Sequence, residues 1–133
     1  FLLVYKYSDS QRERLIMAYI SQETKKELAP AIKAVLKKYG MKGTIGIDRH
    51  TSLRVRVKEG PLKFDNYEQV NTYHIEKFYG EGTKETAFLT ELVAAMKGTK
   101  WYNNTDTMID YFDIAYYIDI HVGQWDKPYI QTA

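Results

Sequence analysis

The sequence predicts an α+β domain: a small antiparallel sheet of about three strands with two main helices packed on one face. Three observations predict it. Segments 21–40 and 83–98 carry apolar residues at helical spacing between a capping side chain and a glycine. Segments 45–58 and 114–122 alternate apolar with polar residues at the period of a strand. The 133 residues hold no internal repeat, low-complexity tract or linker, so a single domain is expected over residues 17–133. A chain of this length buries roughly two-thirds of its unfolded surface without staples. It contains no cysteine, which excludes a disulfide scaffold, a thiol nucleophile and a Cys-ligated zinc.

Residues 1–16 (FLLVYKYSDSQRERLI) show little periodicity beyond the first five. Gln11-Arg12-Glu13 is encodable by codons containing AGGGAG, a purine-rich ribosome-binding sequence upstream of a Met17 start codon. Residues 1–16 are therefore expected to be a translated leader or disordered extension. The alternative is an N-terminal strand, Leu2 to Tyr7, that joins the sheet.

The first helix begins at Ser21, whose hydroxyl can accept from a first-turn amide, with Glu23 favouring the positive end. Leu28, Ile32, Val35, Leu36 and Tyr39 form its apolar stripe, and Gly40 supplies a left-handed stop. Pro30 cannot donate to residue 26, so a kink or restart is expected near Ala29. Lys25, Lys26, Lys33, Lys37 and Lys38 mark the outer face. The period then changes to two. Ile45 and Ile47 alternate with Gly46 and Asp48, and Leu53, Val55 and Val57 alternate with Arg54, Arg56 and Lys58. With Arg49 to Ser52 as connector and Gly60-Pro61 as exit, this predicts a β-hairpin with one apolar and one cationic face.

Residues 64–80 predict mostly loop with a short helix, and His74 is expected to be partly buried. Thr83 caps a clear helix whose stripe is Phe88, Leu89, Leu92, Val93 and Met96, ended by Gly98. Trp101 to Thr107 is a polar loop. The last strand places Ile114, Tyr116, Ile118, Ile120 and Val122 on one face, with Asp113, Ala115, Tyr117, Asp119 and His121 on the other. Gly123 ends it, and Trp125-Asp126-Lys127-Pro128-Tyr129 is a turn leading towards a short edge strand.

Four stretches carry a resemblance: AYISQETKKELAPAIKAVLKKYGMKGTI, HTSLRVRVKEGPLKF, VNTYHIE and DYFDIAYYIDIHVGQWDKPY. They resemble a group of small tailed-phage and viral-metagenome proteins of uncharacterised activity, over Met17 to Tyr129. More distantly, the helix followed by a serine-led hairpin with a Gly-Pro exit is similar to a domain of large polyvalent proteins of phages and conjugative elements. The resemblance brings no agreed catalytic residues. It implies a phage-encoded accessory protein in the host cytoplasm.

The net charge of +2 conceals a division: residues 1–63 hold 14 basic and 6 acidic side chains, residues 64–133 hold 5 and 11. Arg54, Arg56 and Lys58 lie about 6–7 Å apart along a strand. With Arg49, His50, Lys33 and Lys37 they form a candidate nucleic-acid-binding set, with Tyr117 and Trp125 available to stack on bases. The competing reading is a solvated face whose arginines pair with carboxylates of the last strand; strand order decides between them. Asp119 and His121 share a face, as two metal ligands would, with His50, Asp106, Asp110 and Asp113 as further donors. No HExxH or comparable spacing supports a metal, and no cofactor is expected. Tyr117, Asp119, His121, Trp125 and Tyr129 form a candidate partner-binding set; Trp125 and Tyr129 either anchor a partner or fold back over the core. No phosphate-binding glycine loop is present and no catalytic residue is assigned. No apolar run reaches the ~20 residues of a membrane helix. The expected function is a non-enzymatic nucleic-acid-associated binding domain, and the alternative is a protein–protein module acting on a host factor.

Overall fold

The computed structural model describes residues 18–104 and 114–132. Residues 1–16, Met17 as a start, and Asp106, Asp110 and Asp113 lie outside the described residues. Eight elements follow in order: α1 (Gln22–Lys38), β1 (Lys42–Asp48), β2 (Ser52–Gly60), β3 (Glu68–Gln69), α2 (Ile75–Tyr79), α3 (Lys84–Lys97), β4 (Tyr117–Val122) and β5 (Ile130–Gln131). The α+β class holds. The three-stranded antiparallel sheet does not: the sheet has five strands and is mixed, in the order β1-β2-β4-β3, with β5 pairing β2.

Both caps act as their side chains dictate. The Thr24 amide donates to Ser21 Oγ at 3.2 Å and the Thr86 amide to Thr83 Oγ1 at 3.1 Å. Pro30 stands inside α1, which runs on to Lys38 without a restart. Its ring is on the exposed side, where water can satisfy the Lys26 carbonyl that loses its donor. Gly40, at φ +69°, then turns the chain into β1.

Strands β1 and β2 form the expected antiparallel hairpin, with Ile45 opposite Val55 and Ile47 opposite Leu53. The pairing of β2 with β4 is parallel, and this overturns the antiparallel expectation. The chain leaves β2 at Gly60 and re-enters beside it at Tyr117, laying α3 over the sheet on the way. A long helical crossover is the connection that parallel neighbours require. Strand β3 closes the far edge antiparallel to β4. After Val122 the chain makes an excursion through residues 124–127 and returns, so β5 continues the line of β4 along β2, pairing Ile130 with Glu59.

The core lies between the helices and one sheet face. Ile32 and Leu36 of α1 and Phe88, Leu89, Leu92 and Met96 of α3 meet Leu53, Val55, Val57, Ile120 and Val122. Ile20, Met41, Leu62, Val70, Tyr116 and Tyr129 complete it. Ile45, Ile47 and Ile118, expected inside, are only partly buried at the sheet's margins. His74 departs from expectation: it is exposed, at the start of the five-residue α2.

Candidate functional site

Helices cover one face of the sheet, and strand alternation sends the polar residues of β1, β2 and β4 to the other. The register arranges them in rows across the strands: Asp48, Ser52 and Tyr117; Gly46, Arg54 and Asp119; Thr44, Arg56 and His121, with Gln69 beyond. Strand order therefore sets the last strand's carboxylate beside the hairpin's arginines.

Arg54 is bound on both sides. Its Nε donates to Asp119 Oδ2 at 2.8 Å and its Nη2 to Asp48 Oδ2 at 3.1 Å. The Asp119 side chain is only 12% exposed, and Gln69 Nε2 donates to its other oxygen at 3.3 Å. Arg54 is thus largely neutralised. Arg56 differs, because its Nη1 donates to the Gly123 carbonyl at 3.1 Å and among the described residues it forms no ion pair. Lys58 is exposed, unmatched across from β1 because the register shifts between Lys42 and Gly43.

His121 is buried on this face beneath the tilted ring of Tyr67, 6.5 Å away between centroids. Its Nε2 lies 2.9 Å from Asp119 Oδ1, yet the angles make no hydrogen bond and neither ring nitrogen has an aligned partner. Burial holds its pKa below the usual 6.5; the Asp119 carboxylate opposes this, and Arg54 and Arg56 reinforce it. Burial thus favours the neutral ring. Asp119 and His121 share a face as expected, but Asp119 is engaged by Arg54 and Gln69. Among the described residues no group of three or more His, Asp or Glu is placed to hold a metal ion.

Arg49 and His50 form the tip of the hairpin, and both adopt left-handed backbone, at φ 54° and 62°. Such φ values are uncommon for residues other than glycine; histidine, like asparagine and aspartate, adopts them more readily than arginine does. The turn's own hydrogen bond runs from the Thr51 amide to Asp48 O at 3.1 Å, and from outside it the Ile20 amide donates to His50 O at 2.8 Å. The His50 ring stacks on Tyr19.

The remaining residues of the two sets are distributed differently. Lys33 and Lys37 are exposed on α1, across the sheet from Arg54 and Arg56, so no one surface gathers all seven nucleic-acid candidates. Tyr117 is half exposed at the open face. Trp125 is 85% exposed at the tip of a two-residue turn closed by Gln124 and Lys127, and does not cover the core. Tyr129 does: it is buried, and its hydroxyl donates to the Leu62 carbonyl at 2.6 Å and lies 3.0 Å from that of Gly60. Burial drives its pKa up to about 12.

Asp48, Tyr67 and Gln69 belong to the open face and were not singled out from sequence. Asp48 was legible, since folding the hairpin in register sets it near Arg54. Tyr67 precedes and Gln69 ends a two-residue strand that is too short to show a period. Among the described residues no helix is long and apolar enough to cross a membrane. Comparison with protein-family models, curated proteins and solved structures finds no match to this chain.

Proposed function

We propose that the chain is a non-enzymatic, nucleic-acid-associated binding domain whose contact surface is the helix-free face of the sheet. One observation carries the proposal: Arg56 and Lys58, without carboxylate partners among the described residues, share this face with the half-exposed aromatics Tyr67 and Tyr117. Cations spaced along a strand with flanking rings suit single strands, whose phosphates and unstacked bases are both accessible. Arg49 and His50 extend the surface at one corner. Left-handed backbone at two such residues costs stability, and strain of that kind is retained where a site uses it. Arg54 serves to hold Asp119 and does not contact the ligand. The phage accessory setting that the resemblance implies belongs to the same proposal: the surface acts on nucleic acid, or on the machinery that handles it, in the host cytoplasm.

Fluorescence anisotropy with labelled single-stranded and duplex oligonucleotides across a salt series tests this. Binding should weaken steeply with salt. Arg56→Ala with Lys58→Ala should reduce it while the melting temperature stays within a few degrees. Undetectable or salt-insensitive binding overturns the proposal.

A second reading rests on Trp125, the most exposed large hydrophobic side chain among the described residues. An exposed tryptophan on a hydrogen-bonded turn is a suitable anchor for a protein partner, in this setting a host factor that the chain adapts or inhibits. A purified partner whose binding is lost in Trp125→Ala and kept in the Arg56/Lys58 variant would favour it.

A further inference from the structure

The two edges of the sheet are treated differently. One carries β3, two residues long, which pairs only His121 and Val122 of β4; the other is β1, seven residues long. Among the described residues nothing pairs with the outer side of β1. An edge of this length presents a row of free backbone donors and acceptors. Proteins usually blunt such edges with proline, mid-strand bulges or repeated lysines. β1 (KGTIGID) has none of these between Gly43 and Asp48, and its one lysine stands at the end. Its apolar side is also unfinished. Ile45 and Ile47 are partly buried, whereas Leu53, Val55 and Val57 on the next strand are 0% exposed.

The residues of β1 are complementary to themselves. In an antiparallel pair centred on Ile45, Lys42 stands opposite the partner's Asp48, and Asp48 opposite the partner's Lys42. Gly43 faces the partner's Ile47, a small residue against a large one, and Thr44 likewise faces the partner's Gly46. Ile45 meets its own copy at the axis. Opposed residues share a face: Thr44, Gly46 and Asp48 lie on the open side, and Gly43, Ile45 and Ile47 on the helix side; Lys42, beyond the register shift and opposite Glu59, follows the strand's alternation to the open side. A two-fold axis normal to the sheet keeps both helical layers on the same side, which an isologous contact requires.

We propose that the chain forms a symmetric homodimer by antiparallel pairing of β1 with β1 of a second copy, centred on Ile45 and flanked by two Lys42–Asp48 ion pairs. The pairing makes one ten-stranded sheet and joins two open faces into a single surface. This inference does not depend on what that surface binds.

Sedimentation velocity of the full chain across a concentration series tests it. The wild type should shift from monomer to dimer as concentration rises. Lys42→Asp and Asp48→Lys each turn two attractive pairs into repulsive ones and should raise the dissociation constant about tenfold or more. Combining the two exchanges should restore dimerisation, because every pair is again of opposite sign. Melting temperatures of the same variants report separately on the Asp48–Arg54 contact within one chain. A wild type that stays monomeric overturns the proposal. So does a dimer indifferent to the single exchanges, or one that the double exchange fails to recover.

Discussion

Replacing Arg54 by alanine tests whether the centre of the open face is scaffold or contact surface. The guanidinium joins three strands, since Asp48 ends β1 and Asp119 lies on β4. The Asp119 arm is the costly one to lose. A charge-assisted hydrogen bond of 2.8 Å to a carboxylate 12% exposed contributes about 2 kcal/mol, and its loss leaves that carboxylate short of a partner. The Asp48 arm, with its carboxylate 41% exposed, is screened and adds about 0.5 kcal/mol. Arg54→Ala should therefore destabilise by about 2–3 kcal/mol, a fall in melting temperature of about 8 °C for a domain of this size. Urea unfolding measures the free energy directly. Arg54→Lys, which keeps the charge but cannot fork between two carboxylates, should recover only part of it. A second readout moves independently: with a repelling cation removed and Asp119 freed, the His121 pKa should rise, observable by NMR titration of the ring. A change below about 0.5 kcal/mol would refute the reasoning, because Arg54 would then be a solvated ion pair. Loss of oligonucleotide binding at unchanged stability would refute it more sharply, by making Arg54 a ligand contact.

Three further perturbations follow from the same geometry. The folded-state pKa of His121 is held below 6.5, so between the two values the unfolded chain binds more protons. Its contribution to stability is complete above about pH 6.5 and is lost as pH falls through the folded pKa; thermal melts should show that slope in wild type and lose it in His121→Gln. Exchanging Arg49-His50 for Asn-Gly relieves two left-handed residues and should stabilise by about 1–2 kcal/mol in urea, while weakening any oligonucleotide binding that uses the tip. Tyr129→Phe removes a buried donor from the Gly60 and Leu62 carbonyls and should destabilise by about 1–2 kcal/mol; an unchanged urea midpoint would show those carbonyls satisfied by water.

What the sequence disclosed and what it withheld divide along the range of the interactions. Ser21, Thr83, Gly40 and Gly98 bound their helices by contacts within a few residues, so both helices are legible. The β1–β2 hairpin is equally local. The parallel neighbourhood of β2 and β4 brings Arg54 to Asp119 across 65 positions, and no short-range pattern encodes it. Strands β3 and β5 have two residues each, below the length at which alternation is detectable. Tyr129 was open to two readings from its neighbours: beside a proline and a turn a tyrosine either anchors a partner or folds back over the core, and the return of β5 to the end of β2 carries it inside. On β4 chemical alternation persists while burial does not, since Ile120, His121 and Val122 are all buried. His121 was thus visible as a polar residue but not as a buried one.

The charge division between the two halves of the chain follows from this topology. A parallel crossover interleaves the basic hairpin with the acidic last strand, and the α1–α3 contact adds Lys38 to Glu91 at 2.7 Å. Neutralisation is selective, however. Among the described residues, ion pairs within 4.0 Å involve only Lys38 and Arg54 of the lysines and arginines. Arg49, Arg56 and Lys58 remain at one corner and the rear of the open face, while Lys33 and Lys37 remain on the far side of the molecule. Two separated basic regions make different demands on a polyanion. A ligand held by the sheet face alone should show a salt dependence that Lys33→Ala with Lys37→Ala leaves unaltered. A ligand that wraps the domain should lose slope with either pair. That comparison separates recognition by a surface from attraction by net charge, because both variants remove the same charge and only one removes it from the open face.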